Sequence, residues 1–443
     1  MKIWDKGKAV DEAVIGFTAG RDRLLDSRLA SWDIVATMAH CVMLNDAGIL
    51  SPGEKETILE ALHVFLQKSE GQKFETGDDY EDIHSRIEAE LTAMTGEAGR
   101  KIHAGRSRND QVMTDICLFI RSEICSLAGE VHGLMGELIG IGEKHAQVMM
   151  PGYTHLQPAM PSTFGLWFGA YAESLCDDIE MLSFALDSVN ASPAGTAAGY
   201  GTTLPLRREI VARLLHFDRM VITSPYAQMR RGKAEKMFAD ALASVAGTLA
   251  RLSGDICLFL TMEFGFITLE ESLCTGSSIM PQKRNPDVFE IIRGRANVLR
   301  GLPNTLSMLL TNMPPGYNRD YQVIKEVLFP AIEETRSLIA MMAYMLGGIR
   351  VNEGVLDDRY NSIFSTEAAN RLVAGGVPFR DAYRSMASGI DNMRFMVTVP
   401  ADYTHLGSPG NPGYREITDR AAKLMESFPS LPASYLASQI RFA

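Results

Sequence analysis

Long helical stripes of apolar residues dominate the middle of this 443-residue chain. After Asn109, apolar residues recur at alternating steps of three and four from Ile116 to Ile141, which predicts one helix of roughly 40 residues. Four further stripes with the same period cover residues 164–189, 237–259, 288–309 and 324–349. We expect Pro330 to kink the last helix. Because helices of this length are typical of bundles, the pattern predicts an all-α fold with a central bundle of five long helices.

Shorter helices are predicted on both sides of this bundle. Ser51 and Pro52 form a helix start signal, and the acidic run 78–82 predicts another helix start. Beyond about residue 355, glycine- and proline-rich turns separate short helices. We therefore expect three domains: an N-terminal helical domain (1–105), the central bundle (106–354) and a small C-terminal helical domain (355–443).

Composition and charge narrow the function classes. The chain carries 43 basic and 54 acidic side chains, a net charge of −11, which argues against bulk nucleic-acid binding. Its six cysteines form no CxxC pair, and residues 1–6 contain no apolar signal core. The apolar run Leu338–Ile349 is too short to span a bilayer, and it is apolar on more than one face. We expect a cytoplasmic protein that forms oligomers.

Sequence motifs for metal or cofactor sites are absent. The chain contains no HxH or HExxH spacing and no clustered Cys/His pairs, so no metal is expected. GxGxxG, P-loop and GxSxG signatures are also missing. Any chemistry must therefore come from hydroxyl, imidazole, amine and oriented amide groups.

The most informative polar segment is the loop from Gly276 to Asp287, between two helical stripes. Its glycine and serines allow the backbone to turn and expose N–H groups, and its prolines interrupt any helix. Lys283 and Asn285 add one cation and one amide. Such a loop suits an anionic substrate, although a polar surface connection has the same composition.

Two more polar clusters lie at predicted helix ends. Residues 103–111 place Arg106 and Arg108 at a helix start, where they oppose the helix dipole, so we expect an anion nearby. Residues 151–161 contain three prolines, which predicts a rigid extended connection that presents His155. A histidine there is either a structural residue or an acid–base group.

These clusters resemble the argininosuccinate lyases, including the related lens delta-crystallins, within the fumarase/aspartase superfamily. Gly-Ser-Ser-x-Met-Pro-x-Lys-x-Asn-Pro at 276–286 resembles the superfamily signature. Ser-Arg-Asn-Asp-Gln at 107–111 and Thr-His-Leu-Gln-Pro at 154–158 resemble the argininosuccinate branch. The similarity covers nearly the whole chain in order and spacing.

The resemblance implies an all-α, three-domain subunit and a homotetramer assembled through the central helices. It implies active sites that each draw on three subunits. The implied reaction is the reversible β-elimination of argininosuccinate to fumarate and arginine, as in arginine biosynthesis, with no metal or organic cofactor.

The resemblance also assigns roles to individual residues. Ser277 is implied as the general base, and Lys283 as the group that stabilises the carbanion. His155 is implied to orient groups or relay protons, paired with Glu290. The residues implied to bind the substrate are Asp82, Ser107, Arg108, Asn109, Thr154, Gln157, Ser278, Asn285, Tyr317, Gln322 and Lys325.

The sequence departs from the family pattern in two places. Residues 17–23 replace a segment where many members carry a substrate-contacting serine, and Arg284 stands where the branch usually has lysine. Arginine there also occurs in adenylosuccinate lyases. The alternatives are therefore another fumarate-forming lyase, such as adenylosuccinate lyase, or a non-catalytic crystallin-like relative. We also expect the 276–287 loop to be mobile without ligand and to close over substrate.

Overall fold

The computed structural model describes residues 11–71, 74–77, 80–391 and 403–441. Helices make up most of this part of the chain, which confirms the all-α prediction. The acidic positions 78 and 79 and the first ten residues lie outside the described residues. Asp82 starts the helix predicted after the acidic run, because its side chain caps the N-terminus of that helix.

The helices that precede the bundle are short, apart from two of intermediate length. They are α1 (Glu12–Ala19), α2 (Asp22–Asp26), α3 (Ala30–Asp46), α4 (Pro52–Gly71), α5 (Ile83–Thr95) and α6 (Glu97–Lys101).

The central region contains the longest helices. They are α7 (Arg108–Lys144), α8 (Phe164–Val189), α9 (Arg208–Leu214), α10 (Ser224–Met229), α11 (Lys233–Phe259), α12 (Asp287–Leu299), α13 (Leu302–Leu309) and α14 (Gln322–Leu346). The C-terminal helices are α15 (Ser365–Ala374), α16 (Phe379–Asp391), α17 (Tyr414–Met425) and α18 (Ala433–Ile440).

Helix α7 is the centre of the bundle. It has 37 residues, close to the length that the apolar stripe predicts. It packs along α8 and against α14, while α11 packs on α8, α12 and α14. Residues 108–144 and 224–259 are long and apolar enough to cross a membrane by length and composition, and core helices of soluble proteins pass the same test.

The prediction of one helix over residues 288–309 was wrong in detail. The chain forms α12 and α13 instead, with a break at Arg300 and Gly301. Pro303 stands at the second position of α13 and cannot supply an N–H to a continuous helix. Val298 lies within this predicted apolar stripe but is 79% exposed.

Three short two-stranded ladders complete the described fold. Strand β1 (Met149–Thr154) pairs antiparallel with β2 (Gln157–Thr163), so the proline-rich connection is extended, as predicted, but is also a hairpin. Strand β3 (Ala191–Ser192) pairs parallel with β4 (Arg219–Met220). Strand β5 (Ile267–Leu269) pairs antiparallel with β6 (Ile349–Val351). Ile349 therefore belongs to a strand rather than to the last helical stripe, and α14 ends at Leu346.

Two of the C-terminal helices pack on elements from earlier parts of the chain. Helix α17 lies against α8 and α7, and α18 lies against α3 and α9. Their buried residues join the same apolar core as the long helices. The helices on either side of the bundle therefore share its core.

Candidate functional site

A cavity of about 310 Å³ opens where α2, α5, α7 and α14 meet. It brings together six residues predicted to bind the substrate, and these come from segments more than 200 residues apart in sequence. The six are Asp82, Arg108, Asn109, Tyr317, Gln322 and Lys325. Charged and amide side chains from four elements thus surround one space.

The N-terminus of α7 forms one wall of the cavity. Ser107 is the N-cap, and its hydroxyl accepts a hydrogen bond from Asn109 N at 3.3 Å. Asp110 completes a capping box, because its carboxylate accepts from Ser107 N at 2.8 Å. Burial raises the pKa of Asp110 to about 6. This cap fixes where the next residue, Arg108, points.

Arg108 is held by three neighbours. Its Nε lies 3.1 Å from Asp82 Oδ2, and it donates to Ser85 Oγ at 3.0 Å and to Gln111 Oε1 at 2.6 Å. Burial alone would raise the pKa of Asp82, but the charges of Arg108 and His84 and the hydrogen bonds from Ser85 together outweigh burial, so the pKa is lowered. Arg108 therefore remains a fixed cation in the wall of the cavity.

A buried polar cluster lies directly behind Arg108. Gln111 donates to Asp33 Oδ1 at 2.6 Å, and His84 Nδ1 lies 3.3 Å from Asp33 and 3.4 Å from Asp115. Burial would raise the pKa of Asp33, but the charge and hydrogen bond of His84, the charge of Arg106 and the hydrogen bond from Gln111 together outweigh burial, so the pKa is lowered. Burial and the nearby charge of Asp33 raise the pKa of Asp115.

The same three groups are close enough to ligate a metal ion. The ligand atoms of Asp33, His84 and Asp115 lie within 4.8 Å of one another. Arg106, however, acts electrostatically on both carboxylates, so a second cation there meets repulsion. This placement also corrects the prediction for Arg106: it is partly buried, donates to Thr37 Oγ1 at 2.9 Å and acts on internal carboxylates rather than on an external anion.

The inner end of the cavity is formed by α2 and α14. Lys325 Nζ lies 2.7 Å from Asp22 Oδ1 and 2.5 Å from Asp26 Oδ1. Gln322 donates to Asp22 Oδ2 at 2.7 Å and to Thr18 O at 3.2 Å. The segment of residues 17–23, which departs from the family pattern, thus supplies the acidic residue Asp22 to this site.

Arg231 is a cavity residue that the sequence analysis missed. It is only 5% exposed, and its guanidinium lies 5.0 Å from the ring centres of both Tyr317 and Tyr321. Its Nε and Nη1 have no hydrogen-bond partner. The available sequence signal was the pair Arg230-Arg231 just before the start of α11. Arg106 and Arg108 drew attention because they stand in a similar place at the start of α7.

The loop predicted to carry the chemistry lies apart from this cavity in the subunit. Its base is closed by hydrogen bonds in which Asn285 N donates to Thr275 O at 2.9 Å and Thr275 N donates to Asn285 O at 3.3 Å. Ser277 is half-buried, and its Oγ accepts from Ile279 N at 3.4 Å. Ser278 and Lys283 are exposed.

The histidine segment is also exposed. Thr154, His155 and Gln157 stand at the tip of the β1–β2 hairpin. Glu290 is exposed in the first turn of α12. His155 and Glu290 make no ion pair with each other within this subunit. The predicted site residues of one chain therefore lie in the cavity, in the loop and in the hairpin, and neither the loop nor the hairpin lines the cavity.

The chain is similar to known proteins in sequence and in fold. The sequence profile of a family described as "Lyase" matches residues 8–301. An argininosuccinate lyase of Phocaeicola vulgatus is 48% identical over 411 residues, 93% of this chain and 92% of that protein. One from Parabacteroides distasonis is 45% identical over 428 residues, 96% of each chain. A crystal structure of EDDS lyase in complex with formate superposes with a TM-score of 0.76, at 23% identity, over 98% of this chain and 94% of the other.

The fold and the matched profile define a helical-bundle lyase. The identity to the curated relatives extends over nearly the whole chain. The chain belongs to the lyase family and, within it, to the argininosuccinate lyases.

Proposed function

We propose that this protein catalyses the reversible β-elimination of argininosuccinate to arginine and fumarate. The observation that carries the proposal is the cavity that unites Asp82, Arg108, Asn109, Tyr317 and Gln322 with Lys325. Its charges of both signs suit a substrate with several carboxylates and a cationic amino-acid end. The names of its relatives support the same substrate.

The proposed mechanism begins at Ser277. Its alkoxide removes the proton next to a succinyl carboxylate, and the Ile279 N–H at 3.4 Å from Ser277 Oγ helps to stabilise that charge. Lys283 stabilises the carbanion with its doubly charged carboxylate, and Asn285 and Ser278 bind the same end of the substrate. The C–N bond then breaks, so fumarate forms and the guanidino nitrogen takes up a proton.

We propose that the site is completed between subunits of a homotetramer. Neither the Ser277 loop nor the His155 hairpin with Thr154 and Gln157 lines the cavity of its own chain. The outer faces of α12, α13 and α14 carry exposed apolar side chains that suit burial against other copies. These side chains are Ile291, Val298, Met308, Met341 and Tyr344. Assembly in the cytoplasm would place His155 against Glu290 of another subunit.

The alternative substrate, adenylosuccinate, has less support. The feature that favoured it was Arg284, and this residue lies 3.2 Å from Glu271 in an exposed ion pair within the loop region. Arginine at this position is therefore explained by a local partner. Side-by-side measurement of fumarate release from argininosuccinate and adenylosuccinate separates the two functions. We expect release from argininosuccinate; release from adenylosuccinate alone, or from neither substrate, contradicts the proposal.

A further inference from the structure

Arg108 is connected to the protein interior by a chain of two buried residues. Its Nη1 donates to Gln111 Oε1 at 2.6 Å, and Gln111 Nε2 donates to Asp33 Oδ1 at 2.6 Å. Gln111 is 5% exposed and Asp33 is 0% exposed. Asp33 lies on α3, 78 positions before Gln111, and it does not line the cavity. A residue of α3 therefore reaches the wall of the cavity through one intervening side chain.

This chain of hydrogen bonds has one arrangement that satisfies all of its groups. A guanidinium has donors only and a carboxylate anion has acceptors only, whereas the Gln111 amide has one end of each kind. Although Asp33 is buried, the charged and hydrogen-bonding groups around it lower its pKa, so it is an anion at neutral pH. Asp33 therefore takes the Nε2 end of the amide, which turns Oε1 toward Arg108. The charge of Asp33 sets the direction of the Gln111 amide.

The other contacts of Arg108 come from a different helix. Asp82, the N-cap of α5, lies 3.1 Å from Arg108 Nε, and Ser85, in the first turn of α5, accepts from Arg108 Nη2 at 3.0 Å. The guanidinium is therefore held between α5 and α7. Without the Gln111 contact, the groups on α5 would dominate. Pairing with Asp82 would then compete with a substrate carboxylate for the N–H groups of Arg108.

We propose that Asp33 is a positioning residue: it fixes the Gln111 amide, which in turn fixes the Arg108 guanidinium in the orientation that binds a substrate carboxylate. The proposal rests on the proposed function, in which Arg108 binds argininosuccinate. A guanidinium has five N–H groups, so its contacts with the protein leave others for the substrate. A side chain that is fixed before binding also loses less conformational entropy when the substrate binds. Asp33 thus acts on the substrate only through Arg108.

A double-mutant cycle on substrate binding tests whether Asp33 acts through Arg108. Ser277→Ala is the parent protein, because without the proposed base it should bind argininosuccinate but not consume it. We expect Asp33→Asn to weaken the calorimetric binding of argininosuccinate roughly tenfold, because the neutral amide of asparagine no longer sets the direction of Gln111. With Arg108→Gln also present, Asp33→Asn should change binding less than about twofold. Equal weakening in both backgrounds, or no weakening in either, overturns the proposal.

Asp178→Asn is the matched control. Asp178 is also a buried carboxylate, at 2% exposed, and it accepts hydrogen bonds from Ser244 at 2.5 Å and Thr248 at 2.6 Å. It does not line the cavity. Its replacement can change stability, but binding of argininosuccinate should stay within about twofold of the parent. A tenfold loss in this control as well would assign the effect of Asp33→Asn to a general disturbance of the interior and contradict the proposal.

A crystal structure of ligand-free Asp33→Asn separates failure of this proposal from failure of the proposed function. We expect the Arg108 guanidinium to move from Gln111 toward Asp82, so that the 2.6 Å contact lengthens beyond about 3.5 Å. An Arg108 that keeps this contact overturns the positioning role, even where Arg108→Gln binds argininosuccinate too weakly for the cycle. A displaced Arg108 in a protein whose Ser277→Ala parent binds no argininosuccinate contradicts the proposed function instead.

Gln111→Met answers the same questions if Asp33→Asn does not fold. Methionine is similar in length to glutamine but has no amide, so it breaks the chain at its middle member. We expect the same roughly tenfold loss of binding and the same displacement of Arg108 toward Asp82. Unchanged binding with Arg108 in place contradicts the proposal.

Discussion

His155 stands at the tip of its hairpin in a conformation that few non-glycine residues adopt. Its φ is 55° and that of Leu156 is 58°, so both central residues of the two-residue turn are left-handed. This is the geometry of hairpin turns that match the twist of the strands, and it costs on the order of 1–3 kcal/mol per non-glycine residue. Cross-strand pairing of Thr154 with Gln157 holds the turn. The turn leaves His155 exposed at the tip of the hairpin, as the proposed site between subunits requires.

Ser277→Ala tests the proposed base directly. We expect kcat to fall roughly 10²- to 10⁴-fold, because the proton next to the carboxylate loses its acceptor. Steady-state kinetics of fumarate formation measures the loss, and calorimetry with argininosuccinate should show that binding persists. Ser272→Ala, an exposed serine just before the loop, is the control and should keep full activity. Near wild-type turnover in Ser277→Ala would falsify the assignment.

Only part of this site could be predicted from sequence at the residue scale. The loop and hairpin residues were found because glycine, proline and polar residues cluster within short segments, and their catalytic roles remain predictions. Asp22 and Arg231 were not predicted as site residues, because what marks them is the balance of charges around them in the folded cavity. That balance depends on Lys325, which contacts Asp22 from about 300 positions away in sequence. Arg106 was misinterpreted because its carboxylate partners come from other helices.

At the scale of elements, the side chain of Tyr414 from α17 packs between α7 and α8. A Cβ atom added at Gly165 would lie 2.6 Å from Ala146 Cα, 2.7 Å from Tyr414 Oη and 2.9 Å from Gly142 O. Two of these three atoms belong to the backbone and cannot move without shifting a helix. The close approach therefore requires glycine at this position.

Gly165→Ala should destabilise the protein by about 1–3 kcal/mol, because the methyl group overpacks this contact. Chemical unfolding at fixed protein concentration measures the change. Gly53→Ala is the control: it lies in the first turn of α4 with nothing within 4 Å of an added Cβ. We expect its free energy of unfolding to be unchanged or raised by up to about 1 kcal/mol. Equal effects of the two substitutions would contradict the packing argument.

The contact between α8 and α11 contains a buried carboxylate that makes stability depend on pH. Asp178 accepts hydrogen bonds from Ser244 at 2.5 Å and Thr248 at 2.6 Å. Burial nevertheless raises its pKa to about 6 from the ordinary 3.8. The folded state therefore binds this proton more tightly than the unfolded state, and the contribution of Asp178 to stability decreases as pH rises from about 4 to 6.

Asp178→Asn removes this titration. We expect the free energy of unfolding of the variant, relative to wild type, to increase by about 1 kcal/mol between pH 5 and pH 7. Urea unfolding at the two pH values measures the difference. Asp177→Asn, which changes the exposed neighbour that pairs with Arg420, is the control and should show no such trend. A relative stability of Asp178→Asn that falls from pH 5 to pH 7 contradicts the assigned direction.

Sequence patterns predicted the start and length of an element well where a single pattern ran through it. The stripe of α7 is continuous and capped by Ser107, so its start and length were predictable. The break between α12 and α13 was missed because the apolar spacing continues across Gly301 and Pro303. The hairpin at residues 149–163 was read as extended but not as paired, because prolines obscure strand patterns.

At the scale of the whole molecule, the proposed base does not line the cavity of its own chain. The cavity lies at the N-terminus of α7, while the Ser277 loop precedes α12 on an exposed surface. The three-domain division at residues 105 and 354 remains a prediction. The described helices on both sides of the bundle share one apolar core with it. Assembly of several copies is the simplest way to complete a site from these parts.

Subunit mixing tests this central claim most directly. Ser277→Ala and Arg108→Gln are each expected to be nearly inactive, the first for lack of a base and the second for lack of a fixed cation in the cavity. The two variants are refolded together at equal amounts. If Ser277 and Arg108 of one site come from different subunits, random assembly makes about a quarter of the sites native at both positions. The mixture should then restore about a quarter of wild-type fumarate release from argininosuccinate. A mixture no more active than its parents would contradict the account.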